Sequence, residues 1–215
     1  MDESPLVGSI NAERVVVARE IHGGIHAQQV TVLTFASGQR VERVFAGVPA
    51  QGPPLVGRQQ TFAELQARAN EGGKLVLYGL PGTGKTALAL ALAYDEATLT
   101  HFDGGVLWAG LGPRANIDNI LSLWGIALTT DTSPDLSGGP PRTTAERAQR
   151  LNAYLQSILG GRPFLVVLDD AWSPEDLLDF EPFATPGCAV LVTTRDESLA
   201  RRYVDAPVGW CTSRN

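Results

Sequence analysis

Gly79, Leu80, Pro81, Gly82, Thr83, Gly84, Lys85 and Thr86 fill every specified position of the pattern G-x-x-x-x-G-K-[ST]. These residue types in this order make a phosphate cradle. Glycines let the backbone wrap closely around an anion with successive N–H groups pointing inward. Lys85 brings a charge to the outer phosphates, and the Thr86 hydroxyl can ligate magnesium. A second chemical element lies downstream. Leu165, Val166, Val167 and Leu168 form an apolar strand that sets Asp169 at its carboxyl end, with Asp170 next. Asp169 is expected to hold the magnesium shell, directly or through water. Asp170 is placed to orient or deprotonate an attacking water. A third strand, from Val190, ends in Thr193, Thr194 and Arg195, and Arg195 would bring a cation toward a terminal phosphate. An acidic strand-to-helix turn or a solvated arginine would account for either outer element alone, but less well beside a phosphate loop.

These residues need elements that converge. The spacing predicts strands at 74–78, 105–111, 164–169 and 189–193, apolar on both faces. It predicts helices at about 59–70, 85–96, 116–127 and 143–159, a short one after Ser173 and Pro174, and a last one from Asp196. Thr61 with Glu64, and Thr143 with Glu146, have capping-box spacing. Strands that are apolar throughout and alternate with helices indicate a largely parallel sheet covered on both faces. The expected fold is α/β, a P-loop NTPase three-layer α/β/α sandwich, with ligands bound at the carboxyl ends of the strands.

Composition bounds the rest. A chain of 215 residues holds one domain of ordinary size plus a small appendage. Apolar residues at 44% and charged residues at 19% exclude a disordered chain. A net charge of −6 argues against a globally basic nucleic-acid binder. No apolar run approaches the roughly 18–20 residues that span a bilayer, and the acidic start Met1, Asp2, Glu3 is not a secretory signal. Two cysteines cannot staple a fold, so the expected location is cytoplasmic. Residues 1–47 read as a small β-rich segment with a hairpin at 30–45, residues 48–54 as a linker, and 55–215 as the nucleotide-binding domain.

Together with Val56, Gly57 and Arg58 upstream, the three chemical elements resemble the NB-ARC family of signal-transduction P-loop ATPases, related to AAA+ proteins. The resemblance covers about residues 54–203 and includes the 102–108 stretch before and through the second strand. It implies that Val56, Gly57 and Arg58 lie against adenine, that the ligands are ATP or ADP with Mg2+, and that nucleotide identity acts as a switch with slow hydrolysis. Opening on exchange drives oligomerisation in such proteins, so self-association or another protein partner is implied. The family's later strand, helical subdomain and winged helix are not evident. Residues 208–215 carry no helix or strand signal, so the chain reads as a fragment with one sheet edge open.

Other features carry less. His22 and His26 are separated by Gly23 and Gly24, which break any helix that would align them as metal ligands. Cys188 reads as a small buried hydrophobe, and Trp108, Trp124 and Trp172 as packing residues rather than adenine platforms. Arg201 and Arg202 read as a solvated pair. A small-molecule or nucleotide kinase uses the same loop with an arginine-rich lid, but the 129–142 loop holds one arginine. A guanine reader of the form N-K-x-D is lacking. The remaining alternative is a scaffold that no longer binds nucleotide.

Overall fold

The computed structural model describes residues 14–17, 31–34, 43–128, 141–204 and 208–210. The predicted turn at 36–39, His22, His26, Cys211 and most of the 129–142 loop lie outside the described residues.

Two N-terminal strands, β1 (Arg14–Val17) and β2 (Thr31–Thr34), pair antiparallel. Most of the hairpin expected at 30–45 lies outside the described residues. The strand β3 (Val44–Ala46) belongs to the large sheet, where it runs parallel to β5 (Gly105–Gly110).

The large sheet holds six strands among the described residues, in the order β3-β5-β6-β7-β4-β8, with every neighbouring pair parallel. Here β4 is Gly73–Gly79, β6 is Phe164–Ala171, β7 is Ala189–Thr194 and β8 is Val208–Trp210. The strand β8 corrects the expectation of a signal-free tail: residues 208–210 pair with Leu77, Tyr78 and Gly79 of β4. The sequence signal there is weak because only three residues pair, and one of them is Gly209.

Period-two alternation divides each inner strand between two cores. Leu165, Val167 and Leu191 face α1 (Gln59–Asn70), α2 (Lys85–Tyr94) and α3 (Glu96–His101), packing with Leu65, Leu88, Leu92 and Phe102. Val166, Leu168, Val190 and Val192 face α4 (Ile117–Leu128), α5 (Thr144–Leu159), α6 (Pro174–Leu178) and α7 (Glu197–Tyr203). Trp124, Phe180 and Phe183 form an aromatic cluster in that second layer, with ring centroids 5.4–6.4 Å apart. This is the three-layer α/β/α arrangement with a parallel sheet.

Capping fixes where the helices begin. Thr143 accepts from the Glu146 amide at 3.1 Å, while Glu146 reaches back to the Arg142 amide at 2.8 Å. Ser173 and Asp196 cap α6 and α7. The Thr61–Glu64 box does not form, because α1 already begins at Gln59 and places Thr61 inside the helix. The helix expected over 85–96 ends at Tyr94: Asp95 adopts extended backbone and its carboxylate caps α3 by accepting from the Thr98 amide at 2.8 Å.

Candidate functional site

Strands β6, β7 and β4 are neighbours, so their carboxyl ends meet at one place. The loop after β4 turns into α2 at Gly84, whose φ of 86° lies in the left-handed region. A Cβ there would overlap Nη1 of Arg58, and that guanidinium donates to the Thr83 carbonyl. Thr83 closes the loop by donating its hydroxyl to the Leu80 carbonyl at 2.8 Å. Lys85 is buried and donates from Nζ to the carbonyls of Gly79 at 2.8 Å and Leu80 at 2.9 Å. Burial first, and the Arg195 charge second, hold its ammonium pKa below the ordinary lysine value.

Asp169 sits opposite α2. Its Oδ1 accepts from the Thr86 hydroxyl at 2.9 Å and from the Thr193 hydroxyl at 2.6 Å. Burial raises the Asp169 carboxyl above its usual value, opposed by donation from Thr193 and Thr86. Two hard oxygen ligands, Thr86 and Asp169, thus stand together. Among the described residues no group of three His, Cys, Asp or Glu side chains could hold a metal. That donor set suits magnesium, which takes one or two protein ligands and completes its shell with phosphate oxygens and water.

Asp169 and Asp170 are consecutive, and a regular strand would send their side chains to opposite faces. The ladder with β7 slips here: Leu168 pairs with Val192 but Ala171 pairs with Thr194, so β6 spends one extra residue. Asp170 takes a left-handed φ of 56°, and its amide donates to Thr193 Oγ1 at 2.9 Å. The bulge lets both carboxylates line one cavity. Asp170 Oδ1 accepts from Arg195 Nε at 3.1 Å, and Oδ2 accepts from Trp172 Nε1 at 3.0 Å.

The cavity has a volume of about 1020 Å3 and is lined at this end by Pro81, Gly82, Gly84, Lys85, Thr86, Asp169, Asp170, Thr193 and Arg195. Its other end carries an apolar wall of Pro53, Pro54, Leu55, Phe62, Leu90 and Tyr94, with Gln51, Gln59, Asp95 and Glu96 also on the lining. Tyr94 pins the approach to this wall by donating to the Pro49 carbonyl at 2.8 Å.

The structure thus gathers the loop, both carboxylates and Arg195. Gly79, Leu80 and Thr83 form the loop's frame rather than the cavity lining, and Leu80 is exposed. Arg58 stands against the loop. Val56 and Gly57 are not among the lining residues, and Val56 is exposed. Thr194 turns inward to the Ala171 carbonyl at 2.8 Å, leaving Thr193 and Arg195 to face the site. Sequence reading missed the apolar wall because residues 51–55 look like a bare linker. The signal available was the apolar set Leu55, Phe62 and Leu90 on both sides of the phosphate loop.

A phosphate loop between a parallel strand and a helix, beside an acidic strand end, makes this a P-loop NTPase domain. The chain belongs to the NB-ARC domain family, whose model matches residues 59–209. It is 27% identical over 180 residues to a protein described as a late blight resistance homolog (R1B-14) of Solanum demissum, covering 80% of this chain and 12% of that protein. It is 30% identical over 128 residues to a protein described as a disease resistance protein of Arabidopsis thaliana, covering 57% of this chain and 8% of that protein. The match therefore spans about a tenth of each relative's length. Among solved structures, a Walker-type ATPase of Pyrococcus abyssi aligns at 17% identity with TM-score 0.44, covering 70% of this chain and 48% of that one. Drosophila ORC bound to DNA aligns at 15% identity with TM-score 0.45, covering 73% and 43%. Family membership supports a nucleotide-binding role in signalling. Among the described residues no helix is long and apolar enough to cross a membrane.

Proposed function

We propose that this chain binds ADP or ATP with Mg2+ and serves as the switch of a larger signalling protein of the cytoplasm. The observation that carries the reading is the juxtaposition of Lys85, Thr86 and Asp169 at one end of a cavity that also has an apolar wall. That end suits phosphates and a magnesium ion, and the apolar wall suits a purine ring. Bound magnesium would offset phosphate charge. Lys85 would leave the Gly79 and Leu80 carbonyls for phosphate oxygens, Asp169 would hold the ion with Thr86, and Asp170 would accept a proton from water. Hydrolysis is slow in this reading, so the bound nucleotide marks a state. The resistance proteins to which the chain is similar support a role in resistance-type signalling, with self-association or a protein partner as the output.

The test is the thermal stability of the purified chain with Mg2+ and ADP, ATP or GDP. A ligand bound only to the folded state raises Tm by mass action, by about 2.7 kcal/mol of stability at a hundredfold excess over Kd. The expected result is a rise with ADP and ATP, less with GDP, and lost in Lys85→Ala. No rise in a folded, monodisperse parent overturns the reading and leaves a scaffold.

A further inference from the structure

Trp172 is an aromatic side chain with no place in either core. Half of its surface is exposed, and it belongs to neither hydrophobic cluster. It nonetheless makes two directed contacts. Its indole N–H donates to Asp170 Oδ2 at 3.0 Å, and its ring lies 5.4 Å from the Arg195 guanidinium carbon, within cation–π range. Arg195 closes the triangle by donating from Nε to Asp170 Oδ1 at 3.1 Å. Asp170 is itself fixed by its left-handed backbone and its amide bond to Thr193. Both carboxylate oxygens of Asp170 and one face of Arg195 are therefore engaged within the cluster.

We propose that Trp172 is a positioning residue that sets the preference of the site between a nucleoside diphosphate and a triphosphate. It does so by holding Arg195 and Asp170 in a closed cluster that a terminal phosphate must open. The inference rests on the nucleotide-binding reading above and deepens it. Lys85 and Thr86 can serve a diphosphate with the cluster intact. A further phosphate brings negative charge toward the Asp170 carboxylate and competes with it for Arg195, which with Lys85 supplies the positive charge on the cavity lining among the described residues. Drawing the guanidinium to that phosphate takes it off the indole face, so the triphosphate bears a cost that the diphosphate does not.

The experiment is calorimetric titration of the full chain with Mg·ADP and with magnesium plus β,γ-methylene-ATP. Parent, Trp172→Leu and Trp172→Phe are compared. Trp172→Leu removes both contacts and is expected to move the affinity ratio about five- to tenfold toward the triphosphate analogue, as the loss of one hydrogen bond and one exposed cation–π contact implies. Diphosphate affinity should stay within about twofold. Trp172→Phe keeps the ring and loses the N–H, and should fall between parent and Trp172→Leu. It decides the question if the leucine variant does not fold. An unchanged ratio, a shift toward the diphosphate, or parallel loss of both affinities overturns the assignment while the nucleotide reading stands. A parent that binds neither nucleotide overturns both.

Discussion

At the residue scale Asp169 bears a tension, because a carboxylate proposed to meet a cation is held in a desolvated place. Its pKa is raised in the folded state, so its charged form opposes folding. That penalty is full above the folded pKa and is relieved as pH falls through it. Asp169→Asn should therefore be more stable than the parent at neutral pH, with the gap closing under acid, as urea denaturation at several pH values would show. The same variant should lose magnesium-dependent nucleotide binding. Thr193 has the complementary role, donating to Asp169 and accepting from the Asp170 amide. Thr193→Val keeps the shape but strips both bonds, and should cost about 1–3 kcal/mol. Thr193→Ser should recover most of that in the same denaturation assay. The two carboxylates were legible from their place after an apolar strand. The bulge that aims both at one cavity was not, because a single-residue ladder slip leaves no periodic trace.

At the scale of elements, the edge strand β3 depends on one glycine. Gly105 opens β5 with a φ of 111°, and a Cβ there would overlap the Val44 carbonyl oxygen. Gly105→Ala should cost on the order of 2 kcal/mol from backbone strain and close contact. Hydrogen exchange should rise first at the amides of β3 and the start of β5. Helix and strand order was readable because each inner strand is a short apolar run and most helices carry a capping residue at the start. The exceptions have local causes. Asp95 splits one predicted helix into α2 and α3, since an aspartate that satisfies the Thr98 amide favours a new start over continuation. The sequence from Arg40 to Phe45 alternates apolar and charged like an exposed hairpin strand, yet Val44–Ala46 joins the main sheet through parallel pairing that no local pattern encodes.

For the whole molecule, the strand β8 covers one side of β4, the strand that leads into the phosphate loop. A chain ending at Val204 would leave β4 as an unprotected sheet edge. Such a chain should self-associate in sedimentation velocity at concentrations where the parent stays in its original state, and should melt lower. The cavity proposed to take the nucleotide draws on residues far apart in sequence, from Gln51 to Arg195. Truncation at either end of this span is therefore expected to affect binding through the sheet that sets its walls.

The sequence alone determined the phosphate loop, the acidic strand end, the alternation of apolar strands with amphipathic helices, and hence the fold class. Each of these is a local pattern: residue types at fixed spacing set backbone freedom, capping and burial without reference to distant partners. The tertiary structure decided the rest. It placed β7 between β6 and β4, so that Thr193 meets Asp169, and it pressed Arg58 against Gly84. It made the proline-rich stretch at 51–55 the wall of a cavity and brought Trp172, Asp170 and Arg195 into one cluster. Those outcomes follow from strand order, register and the slip in β6, which depend on how separate segments pack and are therefore invisible to spacing within any one of them.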